Sequence, residues 1–304
     1  MIHVVGNAAV DTVIRLDRFP QPGETVVARG AADDLGGKGA NQAVVIARCE
    51  QKVRLVAAVG ADAFGDRIRQ SLAAEGVEVD GLRTWPGPTD RCVIYVDRHG
   101  ENTIVSVIDA ARGFDPIAET GLEHWIAPGD WVVLQGNLQP RVTSACLALG
   151  REKGATIALN PSPTYAAVDY DWRLVDLAVV NRNEAIELGG QDDPLKAARA
   201  LCEAGAAAVA LTLGAEGAAL VTADETVRVG APRVTAVDTV AAGDVFSGTL
   251  IAVRAARFDW EAALQAASEA AAICVTRAGV LASFPTRSEM AGIVARGFVA
   301  EHRA

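Results

Sequence analysis

Two carboxylates, Asp238 and Asp244, bracket the small-residue run Thr239-Val240-Ala241-Ala242-Gly243, and Val245-Phe246-Ser247-Gly248 follow. Small residues let the backbone come close to a ligand. Where a helix starts from such a turn, its first N–H groups have no intrahelical partner and can hold an anion. The helix dipole adds roughly 0.3–1 kcal/mol at the surface and about 2 kcal/mol when partly buried. An Asp at the mouth of that hole suits phosphoryl transfer. The moving group needs positive partial charge around its oxygens, and the attacking hydroxyl needs a carboxylate to take its proton. On spacing alone, Asp244 is equally a helix cap.

Three further segments carry chemistry. Gly36-Gly37-Lys38-Gly39-Ala40-Asn41-Gln42-Ala43 is a tight glycine loop in which Asn41 offers a substrate hydroxyl both a donor and an acceptor. It is not a P-loop, because Gly39 stands where Ser or Thr would hold magnesium. Asn181-Arg182-Asn183-Glu184 places a carboxylate in the first turn of a helix, where the dipole favours it. Thr212-Leu213-Gly214-Ala215-Glu216-Gly217 ends a core strand, either as a ligand loop beyond the strand's carboxyl end or as a hairpin turn.

The elements that must position these residues alternate, short apolar strands with helical patterns, as in βαβ units. Strands are expected at Ile2–Val5, Val53–Val59, Asp130–Leu134, Thr156–Leu159, Leu177–Val180 and Ala207–Thr212. Helices are expected at Gly39–Arg48, Asp66–Glu75, Arg141–Lys153, Pro194–Ala204, Ala242–Ala256 and Trp260–Thr276, with a last one begun by the capping box Thr286-Arg-Ser-Glu289. A strand-like approach leads into the Asp238–Asp244 turn. Two stretches, Thr12–Ala28 and Arg91–Ile108, alternate with period two around the turns Pro20–Gly23 and Asp97–Gly100. They read as antiparallel ribbons, either a small lid over the open edge of a site or a pair of structural hairpins. The fold class is therefore α/β, one core with a mostly parallel sheet and an inserted β lid formed by segments near 9–34 and 88–110.

Composition fits this. The 304 residues are long enough for one large α/β unit, and with half the residues hydrophobic but only 5% aromatic the core is built from Ala, Val, Leu and Ile. A net charge of −10 argues against nucleic-acid or anionic-membrane partners. Backbone amides can still bind phosphate. Cys49, Cys92, Cys146, Cys202 and Cys274 form no CxxC pair and read as small buried hydrophobes. No histidine has ligand spacing, and His99 sits in a polar turn facing solvent. The first residues read directly as a strand rather than a signal, and the longest apolar run, Ala206–Leu213, falls well short of the roughly 20 residues of a membrane span. The expected location is the cytoplasm.

The run Asp238–Asp244 resembles the C-terminal signature of the PfkB family of carbohydrate kinases, the ribokinase-like enzymes. Gly36–Ala43 is similar, nearly word for word, to the family's N-terminal signature. The two stand in the family's order, and Phe19-Pro20-Gln-Pro-Gly23-Glu24-Thr25 and Asn160-Pro161-Ser162-Pro163 extend the likeness over the chain. The resemblance implies a ribokinase-like three-layer sandwich and transfer of the ATP γ-phosphate to a hydroxyl of a sugar-like small molecule. It implies Asp244 as base and the N–H groups of Ala241, Ala242 and Gly243 as the anion hole. Ala241 stands where the family often has Gly, a swap that suits a negative φ. The resemblance implies that Asp11, Gly37, Lys38 and Asn41 bind the substrate, and that Asn181 and Glu184 organise water and Mg²⁺. Thr212, Gly214 and Gly217 would contact ATP, with the apolar residues around Val275 and Val280 flanking adenine. Asp238, Val240, Cys274, Arg277, Gly279 and Ser283 match the family's K⁺ loop, mostly through carbonyls. A homodimer pairing lid strands is implied as well.

Two positions depart from the ribokinase pattern. Ala9 replaces an Asn two residues before Asp11, and Gly136-Asn137 follow Gln135 where a carboxylate is usual. A site built to bond hydroxyls discriminates strongly, so these changes leave the kinase reading intact and the sugar open. Arg91, Asp109 and Arg112 are lid candidates for reading a substrate, an acidic sugar among them. A nucleoside kinase of the same superfamily would want an aromatic platform, for which Tyr95 is the lid's main offering. A non-catalytic nucleotide- or sugar-binding sensor would need no base. Gly6-Asn7-Ala8-Ala9 lacks the dinucleotide fingerprint of a dehydrogenase.

Overall fold

The computed structural model describes residues 1–99, 101–164 and 168–301. The first half runs β1 (Ile2–Val5), β2 (Ala9–Arg15), β3 (Gly30–Gly36), α1 (Lys38–Arg48), β4 (Val53–Gly60), α2 (Ala63–Ala74), β5 (Leu82–Trp85), β6 (Arg91–Val96) and β7 (Asn102–Val107). Three short helices follow, α3 (Asp109–Gly113), α4 (Pro116–Thr120) and α5 (Leu122–Trp125), then β8 (Trp131–Gln135), α6 (Pro140–Glu152), β9 (Thr156–Asn160) and β10 (Leu177–Asn181). The remainder is α7 (Arg182–Gly189), α8 (Pro194–Glu203), β11 (Val209–Thr212), β12 (Ala218–Val221), β13 (Thr226–Val229), α9 (Ala242–Ala255), α10 (Trp260–Val275) and α11 (Arg287–Glu301).

Nine strands form one sheet in the order β13-β12-β11-β10-β9-β8-β1-β4-β5. The pairs from β5 through β11 are parallel, and β12 and β13 close the far edge as an antiparallel hairpin. The parallel strands read as continuous apolar runs because both faces are covered. Alternate residues go to opposite layers: Val4, Leu55, Val133 and Val179 pack against α1, α2 and α9–α11, while Val5, Val56, Leu134 and Val180 pack against α3 and α5–α8. This is the mostly parallel α/β sheet expected from the alternating pattern, in the three-layer sandwich that the family resemblance implies. Among the described residues no helix is long and apolar enough to cross a membrane. All five cysteines are free, with Cys49, Cys146 and Cys274 buried and Cys92 and Cys202 half-buried.

The two expected ribbons form one four-stranded sheet, β3-β2-β6-β7, in which β2 and β6 are parallel neighbours. The return strand of the first is β3, not part of Thr12–Ala28. Pro20 and Pro22 remove ladder donors there, and the loop is held instead by Arg18 against Glu24, whose carboxylate also takes the Gln21 N–H at 3.1 Å. At the second turn Asp97 accepts N–H bonds from His99 and Glu101 (2.8 and 3.0 Å), and His99 is exposed. Gly100 lies outside the described residues. The approach to Asp238 is not a strand either, but an extended segment whose Val237 and Asp238 N–H groups both donate to the Val275 carbonyl (2.7 and 3.2 Å).

Candidate active site

Parallel register collects polar residues at the carboxyl ends of the core strands. Gln135 on β8 pairs with Asn160 on β9, and Asn181 on β10 with Thr212 on β11. Ligands of open α/β sheets bind at this edge. Helix α9 starts above it, with Asp244 in its first turn and 6% exposed. Asn41 Nδ2 donates to Asp244 Oδ2 at 2.9 Å, and Gln42 Nε2 donates to Oδ1 at 3.1 Å. Ala241 precedes the helix at φ 59°, ψ 5°. The negative φ expected for an Ala there is not observed. A Cβ in this left-handed region costs about 1–2 kcal/mol, and the turn lets the Ala241 carbonyl receive Asp244 and Val245 N–H, both at 3.0 Å. The N–H groups of Ala241 and Gly243 have no protein partner among the described residues, and that of Ala242 reaches the Thr239 carbonyl only at 3.4 Å.

Gly37 stands at the N-cap of α1 with φ 90°, and a Cβ there would lie 2.9 Å from Ala8 Cα and Ala9 N. That close approach brings Lys38 and Asn41 beside β2, where Asp11 lies against Gly36. Asp11 is 7% exposed. Burial pushes its carboxyl up to about 7, the charges of Asp244 and Asp34 add to the rise, and the Cys92 thiol and Lys38 oppose it. Asp11, Lys38, Asn41 and Asp244 thus cluster at the start of α1, with Gly37 as its cap. Because Asp244 can only accept, the Asn41 amide must present its NH₂ to it. Asn41 Oδ1 is left buried, an acceptor without a partner among the described residues.

Beyond the α9 start, a cavity of about 500 Å³ is lined by Thr212, Gly214, Gly217, Gly243, Phe246 and Val275, among others. Ser268 of α10 also lines it, with its buried hydroxyl unpartnered, a polar hook inside an apolar slot. Val280 does not line it: fully buried, it belongs to the core under α10. Asn181 and Glu184 bind each other, Asn181 Oδ1 taking the Glu184 N–H and Glu184 Oε2 the Asn181 N–H, both at 2.9 Å. This reciprocal cap leaves Glu184 Oε1 uncommitted. Arg182 ties the same turn to the 213–216 loop through the Leu213 carbonyl (3.2 Å) and the Glu216 carboxylate.

The pfkB family carbohydrate kinase model matches residues 1–287. This chain belongs to that family. The kinase is 30% identical over 294 residues to a ribokinase of Haemophilus influenzae, covering 95% of this chain and 96% of that one. It is 31% identical over 292 residues to a deoxyribokinase of Salmonella typhi, covering 94% and 95%. A ribokinase of Arabidopsis thaliana solved with ribose and ATP superposes with a TM-score of 0.86 at 26% identity, over 96% of this chain and 98% of that one. The kinase is a phosphotransferase with an alcohol as acceptor.

In this kinase the cation-loop positions also come together. Asp238 accepts N–H bonds from Val240 (3.0 Å) and Gly279 (3.3 Å), and Cys274 Sγ lies 3.8 Å from the Val240 carbonyl and 3.2 Å from Ser283 Oγ. The Arg277 side chain turns away to Glu289 at 2.6 Å. Arg91 is turned away from Asp11: its guanidinium lies 4.3 Å over the Phe64 ring, on the opposite face of the second sheet. Tyr95 is on that opposite face as well, three residues beyond the Asp11 partner Cys92. Asn137, by contrast, is 7% exposed with Oδ1 unpartnered, and Ala9 is fully buried. Sequence reasoning gave no role to Gln42, although it stands in the Gly36–Ala43 motif, and missed Gln135 and Ser268, because amides and hydroxyls in apolar runs carry no spacing signal of their own.

Proposed function

We propose that the kinase transfers the γ-phosphate of ATP to a hydroxyl of a neutral sugar or sugar-like polyol, with Asp244 taking the hydroxyl proton. The observation that carries this is the buried Asp244 carboxylate, held by two amide donors at the start of a helix where the Ala241 and Gly243 N–H groups have no partner among the described residues. The N–H groups of Ala241, Ala242 and Gly243 would receive the phosphoryl oxygens as charge develops on them. The substrate side argues for a neutral polyol: Asp11, Asn41 Oδ1 and Asp244 are acceptors, so the ligand supplies hydroxyl donors. An additional carboxylate on the sugar would meet two buried acids. A nucleobase would find no aromatic platform on the Asp11 face of the second sheet.

ATP would occupy the cavity along 212–217 and α10. The committed cap of Asn181 and Glu184 fits a magnesium that keeps its waters, held through Glu184 Oε1 rather than by direct chelation. Bound there, the ion would neutralise phosphate charge. The carbonyl-rich loop of Asp238, Val240, Cys274, Arg277, Gly279 and Ser283 suits K⁺, which would set the shape of the neighbouring 239–243 turn. The four-stranded sheet would act as a lid over the sugar. Its edge strand β7 bears half-exposed Ile104, Val105 and Val107, which would pair two copies into a homodimer. The test is Asp244→Asn: kcat falls by about 10²–10⁴ while ATP binding measured by calorimetry is retained. Turnover at the wild-type rate would remove the base. A screen of ADP release across pentoses, hexoses, sugar acids and nucleosides identifies the acceptor, and a preference for sugar acids would contradict the neutral-polyol reading.

A further inference from the structure

We propose that Gln42 is a positioning residue that orients the Asp244 carboxylate through a one-way chain of buried amides. The inference rests on the reading of Asp244 as the base and adds what holds it.

The chain can be followed atom by atom. Asn160 Nδ2 donates to the Val179 carbonyl at 2.8 Å. A carbonyl only accepts, so Asn160 must turn Oδ1 the other way, toward Gln42 Nε2 at 3.4 Å. The same Nε2 donates to Asp244 Oδ1 at 3.1 Å, and a carboxylate too only accepts. Both contacts force one orientation on the Gln42 amide. Its Oε1 then accepts from Gln135 Nε2 at 2.9 Å. Gln42 and Gln135 are both fully buried, so bulk solvent does not reach these atoms. Gln135 Oε1 ends the chain without a partner, pressed against Gly6, where a Cβ would lie 1.9 Å away. Every amide in the chain is thus locked against flipping, and the base receives donors on both oxygens, Gln42 on one and Asn41 on the other. Gln42 does not line the cavity along 212–217 and α10. It acts through Asp244.

Donors to the ionised form favour it. The charge of Asp244 raises the carboxyl of Asp11 on β2 and the Cys274 thiol of α10, while Asp34 of β3 and Lys38 of α1 act on Asp11. None of these is altered by substitutions at 42 or 135.

The experiment compares Gln42→Leu, Gln135→Glu and Asp244→Asn by ADP release with ribose and 2-deoxyribose, or with the sugar that turns over fastest in the screen above. Gln42→Leu is expected to lower kcat about 10- to 100-fold, the size of one hydrogen bond to a charged group. The KM for ATP stays within about twofold, and the acid limb of the kcat–pH profile moves to higher pH. Gln135→Glu keeps the side chain's shape. While protonated it still donates to Gln42; once ionised it cannot, so Gln42 turns its carbonyl oxygen toward Asp244. A new fall in kcat on the alkaline side is therefore expected, which loss of packing alone would not create. Should Gln42→Leu not fold, Gln135→Glu decides. Wild-type kcat and pH profile in folded Gln42→Leu, or an unchanged profile in Gln135→Glu, with Asp244→Asn inactive, overturns the inference. An active Asp244→Asn instead locates the failure in the base assignment.

Discussion

Asp11 is expected to weaken the sugar-free protein as pH rises, and Asp11→Asn should relieve this. Its carboxyl has a pKa near 3.8 when solvated and about 7 in the fold, chiefly through burial beside Asp244 and Asp34. The folded state therefore holds the proton more tightly than the unfolded chain. The associated stability is fully present below about pH 3.8 and is lost as pH climbs toward about 7. From pH 5 to 8 the protein crosses two pH units of that window, which at about 1.4 kcal/mol each amounts to about 2–3 kcal/mol. Asn cannot ionise, so the stability of Asp11→Asn minus that of the wild type should grow by this amount between pH 5 and pH 8. For a chain of this size that is about 5 °C in Tm. Taking the difference at two pH values cancels whatever the amide itself costs in packing. Thermal or urea unfolding without sugar at both values is the assay. The same variant should raise the KM for sugar, since Asn presents one acceptor where Asp presents two. A stability difference equal at pH 5 and pH 8 would refute the assignment of a proton-binding, buried Asp11.

Gly37→Ala is expected to destabilise by about 2–3 kcal/mol in chemical unfolding, because φ 90° and backbone atoms at 2.9 Å exclude a Cβ; a loss below about 0.5 kcal/mol would mean the α1 loop relaxes freely. Turnover should be faster in K⁺ than in Na⁺ at matched ionic strength, and identical rates would count against the 238–283 loop as a cation site. Sedimentation at micromolar concentration should give a dimer that Ile104→Glu with Val105→Glu converts to monomer. A monomeric wild type would reject pairing through β7.

Much of this architecture could be read from the chain because the parallel strands are apolar runs and several helices between them are closed by glycines, Gly76, Gly154 and Gly205 having positive φ. The motif turns were visible for the same reason, since unusual glycine and acid spacing survives any reading frame. What escaped was set by pairing rather than by composition. β3, Gly-Ala-Ala-Asp-Asp-Leu-Gly, contains no β-branched residue and is a strand because β2 offers it a full ladder. The approach to Asp238 looks β-like in Val234 and Val237, yet both lie exposed on a loop with no strand to join. The sign of φ at Ala241 depends on how the loop meets α9, which no local pattern records. Gln135 sits in an ordinary apolar strand, and its partnership with Gln42 of the glycine motif spans 93 positions.

The polar row at the strand ends couples chemistry to alignment. Gln135 reaches Gln42, and Asn160 reaches the Val179 carbonyl, only while β8, β9 and β10 hold their present stagger. A slip of one residue would turn each of these side chains into the opposite helical layer and bring a Leu in its place. Such a misfolded species would lose the amide chain behind Asp244, so recovery of turnover on refolding would report the alignment of the core strands as well as their formation.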